Sequence, residues 1–461
     1  MPATVTPSMR TAGWNVKFTI GSGEDPEVFA GIYQAPSKDL VTFNDICDEL
    51  RLCFDMAYGE SSKITEDTWP SIAFALHDHP DILSLNGTPS FFATKDLLNR
   101  PVPSLPPLHP QEQNILRYHV VFHEDCNLST DSRLDDHLRA GCAQQLSDPL
   151  RRYDPRYIPL SESESYDPKL SFMPLRKQFR CGSPKRQRMD DADEIVFDDM
   201  IAPLHSNIGI DEAKRIENDF RSSCLNRGSR CVVSGEGSPW CPGVATGPGI
   251  EACHIIPQQH YHLYPLDSET DDSTLTQPSP RRLRITWEKT WSHRNGILLM
   301  RHLRHFFDAR LFSIHPKTLR IRVFVPYDAL LRFNGQIASV SQQVDRRALR
   351  QHYEMSCIEN MAALKGHWHD DSPGKTNAHM SGVRSGLSSR TDVPSPPDPD
   401  PDPGDRQLGR EVDNNNSTVP QYDEDPQDSY ITPGNSREFL ADVNWELQRF
   451  KARQRARGDL T

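Results

Sequence analysis

The chain has 461 residues, a formal net charge of -12 and a mean hydropathy of -0.65. Its 38 prolines and apolar share of 36% are typical of a chain that is folded only in part, so linkers or tails are predicted. No stretch approaches the ~20 apolar residues that span a bilayer, and the first residues lack the apolar segment of a secretory signal. We therefore expect a soluble intracellular protein without a membrane partner, in the nucleus or the cytoplasm.

Residues 1–124 are predicted to form a small α+β domain. Apolar runs at 14–20, 28–33 and 116–122 have strand-like composition and are separated by Gly and Pro residues. Residues 42–58 favour a helix, because Ile46, Leu50 and Phe54 fall on one face. No catalytic constellation is evident here, and the sequence predicts no role for this domain.

Residues 125–204 are polar and irregular, and they predict a linker that contains one short helix over 134–153. The cluster KRQR, within the charged stretch 183–194, is a candidate nuclear-import signal. The ten cysteines form no CxxC pair, which argues against a zinc ribbon or a redox motif. Without a secretory signal a disulfide framework is also disfavoured, so most cysteines are expected to be small buried hydrophobes.

Residues 205–335 contain the order of elements that points to chemistry. A helix over 208–227 comes first, followed by a short strand at 230–233 with a Gly-rich turn and by a second strand that ends at His254. A turn containing Asn295 then leads into a basic helix that ends near Asp308, and residues 311–326 predict strand, turn and strand. Two strands, the second ending in His, followed by a helix are the order of a ββα-metal site.

Positive charge is concentrated in the same region, although the whole chain is acidic. Only Glu288 and Asp308 oppose eleven basic residues between 281 and 322, which gives a local net charge of +9. Such a stretch can face phosphate groups. The residues that we expect to contact nucleic acid are Arg294, Arg301, Arg304 and Arg310.

The motifs EACHIIP, NGILL and FFDARLFSI, in this order, resemble the HNH endonuclease superfamily, and most closely the HNH-domain proteins common in filamentous fungi. The resemblance implies that His254 is the general base for water and that Asn295 orients the strand that carries it. It implies a divalent metal ion (Mg²⁺, Mn²⁺ or Zn²⁺) near Asp308, with His305 or Glu251 as further ligands. Nucleic acid is the implied partner, DNA rather than RNA.

Two positions depart from the HNH pattern. Cys253 occupies the place where many HNH enzymes have a metal-binding Asp, and Arg304 aligns with the last metal-binding His of the family. Arginine stays protonated and cannot bind a cation. Two hypotheses follow: metal-dependent hydrolysis of DNA phosphodiester bonds, or a degenerate HNH module that binds nucleic acid or protein without cleavage. A third hypothesis places the activity of the protein in its N-terminal domain.

The remaining sequence predicts a packing helix within 336–366, a disordered Pro- and Asp-rich segment at 367–435 and an amphipathic basic helix at 436–461. This last helix is a candidate for contacts with a protein partner. The predicted fold class is therefore α+β, with a ββα-metal core domain, a small N-terminal domain and a disordered C-terminal region.

Overall fold

Two hydrophobic cores share one long helix in this protein, as a computed structural model shows. The residues that the structure describes are 5–21, 26–35, 40–59, 62–65, 67–77, 92–93, 98–103, 115–129, 132–160, 175–177, 201–203, 208, 210–244, 246–266, 279–364, 440, 443, 444, 447 and 451. The segment predicted to be disordered and the KRQR cluster lie outside these residues. Leu440, Val443 and Leu447, from the predicted C-terminal helix, are helical and exposed.

The first core lies against a mixed sheet. Its elements are α1 (Pro7–Ala12), β1 (Val16–Ile20), β2 (Glu27–Ile32), α2 (Phe43–Cys53), β3 (Phe54–Asp55), β4 (Ala57–Tyr58), β5 (Ser62–Lys63), β6 (Ile72–Leu76), β7 (Phe92–Ala93), β8 (Leu116–His123), α3 (Leu134–Arg139), β9 (Ala143–Gln145) and β10 (Leu150–Arg151). The strand order is β2-β1-β8-β6-β7, and β9 also pairs with β8. Strands β1 and β8 are parallel, whereas the other pairs of this sheet are antiparallel.

Helix α2 begins at a capping signal in the sequence, and its apolar stripe packs against one face of this sheet. Thr42 and Asp45 form a capping box, in which each side chain accepts a hydrogen bond from the backbone of the other. Ile46, Leu50 and Cys53 are then buried at helical spacing. The helix stops at Phe54, whose backbone is extended, so it is shorter than the predicted 42–58.

The remaining elements are β11 (Leu175–Lys177), β12 (Ile201–Pro203), α4 (Ile210–Arg227), β13 (Ile250–His254), α5 (Pro280–Thr290), β14 (Gly296–Met300), α6 (Arg301–Asp308), β15 (Phe312–Ile314), β16 (Ile321–Val323), α7 (Asp328–Leu331) and α8 (Arg346–Met361). The second core is built by α4, β13, β14, α6, β15, β16, α7 and α8, whereas β12 and α5 pack with α4 in a smaller cluster that includes Ala202, Ala213 and Trp287. The strands of this part of the chain form separate antiparallel pairs, β11-β12, β13-β14 and β15-β16. The mixed helix and sheet composition predicted from the sequence is confirmed.

Helix α8 packs into both cores. Met355, Ile358 and Met361 belong to the core of the large sheet, whereas Ala348 and Leu349 belong to the second core. Buried polar contacts add to this packing. Asn360 accepts a hydrogen bond from Arg10 Nη1 at 2.6 Å and donates one to the Arg310 carbonyl at 2.8 Å. The helix therefore joins the N-terminal residues to the region that carries the HNH-like motifs.

Two predicted elements are wrong. The helix predicted over 134–153 ends at Arg139, and the chain then forms β9 and β10, because β9 pairs with residues 121–123 of β8, beyond the part of β8 that pairs with β1. Residues 232–234 form a turn in place of the predicted strand at 230–233. This turn still hydrogen-bonds to β14, since Val232 N donates to the Leu298 carbonyl at 2.9 Å.

No helix among the described residues is both long and apolar enough to cross a membrane.

A buried ion pair links the two cores. The carboxylate of Glu49 on α2 binds the guanidinium of Arg322 on β16, with Arg322 Nη2 2.9 Å from Glu49 Oε2, and both side chains are 5% exposed. The Tyr353 hydroxyl on α8 donates to Glu49 at 3.0 Å. A pair at this depth is costly to break, because the remaining charge stays buried without its partner.

We expect Glu49→Ala to lower the free energy of unfolding by about 3–5 kcal/mol, because it leaves the Arg322 charge buried. Urea denaturation followed by fluorescence measures this loss. Glu288→Ala is the control, since it removes the exposed pair of Glu288 with Arg284 on α5 and should cost no more than about 0.5 kcal/mol. Equal losses in the two variants would contradict the role of the buried pair.

Candidate active site

The predicted catalytic residues lie on or beside an antiparallel pair of strands that is followed directly by a helix. Strands β13 and β14 are antiparallel, with Ile250 opposite Met300 and His254 opposite Gly296. Helix α6 begins at the next residue after β14 and runs back along the strand pair, so that Asp308 at its end reaches Cys253. The order along the chain is therefore β13, α5, β14 and α6, and the strand pair with α6 brings the motif residues together.

Asn295 fixes the chain where β13 ends. Its Oδ1 accepts from Ile256 N at 3.0 Å, and its Nδ2 donates to the carbonyls of Ile256 and Thr290 at 2.9 and 3.0 Å. The side chain is fully buried, so these partners leave it no contact with solvent. Asn295 thus holds the segment after His254 against the end of α5.

His254 is enclosed by aromatic rings. Its imidazole stacks on Phe220 of α4 with ring centroids 4.0 Å apart, and the edge of Trp291 meets it at 4.8 Å. Its Nε2 is buried and has no hydrogen-bond partner among the described residues. Burial, and to a lesser degree the charge of Arg304, lowers the pKa of His254 to about 3, so the ring is neutral at pH 7.

Helix α4 can approach His254 because β14 begins with glycine. A Cβ at Gly296 would lie 2.9 Å from Phe220 Cζ and closer still to Cys224 Sγ, distances that atoms in van der Waals contact do not reach. The absent side chain therefore allows Phe220 to cover the imidazole. The guanidinium of Arg227 at the end of α4 donates to the Gly296 carbonyl at 2.7 Å and secures this contact.

Arg304 lies between two carboxylates. Its Nη1 is 2.9 Å from Glu251 Oε2 on β13, and its Nε is 3.5 Å from Asp308 Oδ2 one turn further along α6. Burial lowers the pKa of Arg304, but Cys253, Asp308 and Glu251 raise it by more, so it ends above its ordinary value. The guanidinium is the cation that balances the two carboxylates.

Cys253 completes this group as a neutral thiol. Burial raises the pKa of Cys253 well above its ordinary value, and the charge of Asp308 adds to this effect. The protonated sulfur donates to Asp308 Oδ1 at 3.6 Å. The resemblance to HNH enzymes implies a metal-binding carboxylate at this position. The neutral thiol of Cys253 carries no negative charge there.

These residues border a cavity of about 340 Å³. His254, Arg304 and Asp308 line it together with Gln258 and Arg156. Its wall combines these charged and polar groups with apolar side chains that include Ile255, Leu263 and Met355, the mixture typical of ligand pockets.

The predicted metal ligands do not form a cation site as they stand. Glu251 and Asp308 both point their carboxylates at Arg304, and His305 is exposed on α6 and does not line the cavity. A divalent ion between the carboxylates would meet the guanidinium already there. Within the described parts of the chain, one group of at least three metal-binding side chains has its ligand atoms within 4.8 Å of one another, and it consists of other residues: His123, Cys126, His137 and Cys142.

The predicted nucleic-acid contacts fall into two classes. Arg301 and Arg294 are exposed, and Arg304 is 36% exposed, so all three can be reached from solvent. Arg310 is buried, with its Nη1 3.0 Å from Glu359 Oε2. Because this side chain is used within the fold, we withdraw it from the predicted phosphate contacts.

Sequence reasoning missed the residues that enclose the site. Phe220 lies within the helix predicted over 208–227, but its stacking on His254 cannot be read from helical spacing. Trp291 belongs to none of the motifs, and helix α5, which ends beside it, is not predicted from the sequence. The Ser279-Pro280 pair at the start of α5 was a usable signal, since Ser279 caps the helix and Pro280 fills its first turn.

The β13-β14 strand pair, the Asn295 bonds and helix α6 hold together the residues of the HNH-like motifs. A family model, HNH_2, described as HNH endonuclease, matches residues 231–315. The chain therefore contains a domain of the HNH superfamily, which confirms the resemblance seen in the motifs. No curated protein matches the chain. The narrower resemblance to fungal proteins stays a prediction.

Asn295→Ala should destabilise the domain by about 2–3 kcal/mol, because it leaves the buried backbone groups of Ile256 and Thr290 without their partners. Thermal or urea unfolding of the full chain measures the change. Asn218→Ala, at an exposed position of α4, is the matched control and should be neutral or slightly stabilising. If both variants unfold like the wild type, Asn295 does not hold the segment after His254.

Proposed function

We propose that the HNH-type domain binds nucleic acid, DNA in preference to RNA, and that it does so without metal-dependent cleavage. The observation that carries this proposal is the position of Arg304 between Glu251 and Asp308. In an HNH enzyme a divalent cation would neutralise such carboxylates next to a phosphate. Here the guanidinium supplies that positive charge permanently.

Charge balance supports binding. Without Arg304, two carboxylates at the edge of the cavity would repel a phosphodiester backbone. Arg301, which is 74% exposed, is a further cation on the same helix, 3.5 Å from Glu251. With Arg294 exposed beside Asn295, the domain presents arginines that are suited to phosphate contacts.

The surroundings of His254 support the lack of cleavage. A general base works best with a pKa near the working pH, whereas burial holds the pKa of His254 at about 3. The stacked ring of Phe220 also covers one face of the imidazole.

Metal-dependent hydrolysis of DNA phosphodiester bonds is the second candidate function. It is favoured by His254 Nε2, which is buried without a hydrogen-bond partner among the described residues, on a residue that lines the same cavity as Asp308. In this alternative His254 is the base, Asn295 its orienting residue, and Asp308 with His305 or Glu251 holds the ion. It requires Arg304 to leave its present contacts.

Binding and nicking assays on the full chain separate the two functions. We expect the wild type to bind a DNA duplex equally in EDTA and in Mn²⁺, and to leave supercoiled plasmid intact in Mg²⁺ and Mn²⁺. Arg301→Ala should weaken binding and reduce the salt slope by about 0.9, the effect of one lost phosphate contact. Arg215→Ala, an exposed arginine of α4, is the control that should bind like the wild type.

Arg304→His tests whether the guanidinium replaces a metal ion. The variant removes the resident charge and supplies the ligand type that the family has at this position. We expect Mn²⁺ to raise its unfolding temperature, because ligand binding stabilises the folded state, and to leave that of the wild type unchanged. Plasmid nicking by the wild type in Mn²⁺ that disappears in His254→Ala would overturn the proposal and establish the second candidate.

A further inference from the structure

Four metal-binding side chains meet at one end of the large sheet, away from the HNH motifs in sequence. His123 is the last residue of β8, and Cys126 follows three residues later. His137 lies within α3, and Cys142 directly precedes β9. Because β9 pairs with β8, with Ala143 opposite His123, the ends of this segment are brought together by the sheet.

The distances between the ligand atoms fit a tetrahedral centre. Cys126 Sγ is 3.4 Å from His123 Nε2 and 3.6 Å from His137 Nδ1, and Cys142 Sγ is 3.4 Å from the same Nδ1. With Zn–S near 2.3 Å and Zn–N near 2.0–2.1 Å, tetrahedral geometry separates sulfur and nitrogen ligands by roughly 3.6 Å. All four ligand atoms lie within 4.8 Å of one another.

The identity of the side chains selects the ion. Two thiols and two imidazoles are the ligand set of structural zinc sites, whereas Mg²⁺, Ca²⁺ and Mn²⁺ prefer oxygen ligands. Both imidazoles are buried and both thiols are half-buried, so the group is enclosed by the fold. Four protein ligands fill a tetrahedral zinc ion and leave no position for substrate, which favours a structural role.

The described part of the segment between β8 and β9, residues 124–129 and 132–142, packs on a small hydrophobic cluster. The hydrophobic cluster beneath it consists of Ala73, Ala75, Val121 and Ala143, with Leu134 and Leu138 of α3 only partly buried. Helix α3 has six residues, a length that is not stable by itself. Small cores of this kind are commonly stabilised by a metal ion or a disulfide.

We propose that His123, Cys126, His137 and Cys142 bind one zinc ion that fixes the 124–142 segment to the end of β8. The site lies outside the HNH-type domain and does not depend on the function proposed for it. The absence of a CxxC pair argued against zinc in the sequence. The actual spacing is His-x2-Cys, ten residues, then His-x4-Cys, and it becomes a site only when β9 folds onto β8.

Elemental analysis of the full chain, purified without a histidine tag, tests the site. We expect about one equivalent of zinc per chain that remains bound through gel filtration and is released by a mercurial thiol reagent. Cys126→Ser and Cys142→Ser should each lose this zinc. Cys241→Ser, which changes a half-buried cysteine outside the group, and His254→Ala, in the HNH-type domain, should retain it.

Cobalt substitution of the wild type tests the site without relying on the folding of any variant. Co²⁺ in this site should produce visible bands of tetrahedral cobalt and a thiolate-to-cobalt charge-transfer band in the near ultraviolet. The proposal is overturned if the reduced wild type takes up neither Zn²⁺ nor Co²⁺, or if Cys126→Ser keeps its zinc. A Cys126–Cys142 disulfide found by mass spectrometry in freshly purified protein would overturn it equally.

Discussion

The arrangement of this protein depends on the packing of α8 between two cores. One end of the helix, with Ala348 and Leu349, contributes to the core of the HNH-type domain, and the other, from Met355 to Met361, to the core of the large sheet. The buried pair of Glu49 with Arg322 joins the same cores through side chains that cannot be separated without leaving a charge in the interior. The N-terminal residues and the HNH-type domain are thereby held in a fixed relation.

Helix α8 also helps to position the candidate site. Arg310 follows α6 directly, and it is held by Glu359 and by Asn360, both on α8. Gln351 and His352 of α8 also line the cavity beside His254. The end of α6 that carries Asp308 is therefore positioned by the shared helix, while its beginning is positioned by β14. A substitution in α8 is therefore expected to alter the cavity even when it changes no residue of the HNH-like motifs.

The side chain at position 304 limits the chemistry that the site can support. The cation that lies between the carboxylates of Glu251 and Asp308 is a guanidinium of the protein itself. A guanidinium has a fixed charge and no open coordination position. It can neutralise Glu251 and Asp308 and contact phosphate, but it cannot lower the pKa of a bound water as a metal ion does. This difference is the physical basis of the proposal that the domain binds nucleic acid without hydrolysing it.

The sequence by itself determined the local elements and the class of domain. Strand-like composition between Gly and Pro residues predicted β1, β2 and β8, and helical patterns predicted α2, α4 and α8. The motifs around His254 and Asn295 identified the HNH-type region. All these signals depend on neighbours in the chain. Only the tertiary structure decided which side chains meet across long separations. Phe220 covers His254, Arg304 occupies the space between Glu251 and Asp308, and Arg310 turns inward to Glu359. The side chains of His123, Cys126, His137 and Cys142 converge because β9 pairs with the end of β8. This pairing forms where the sequence predicted a helix, and local propensity could not show it.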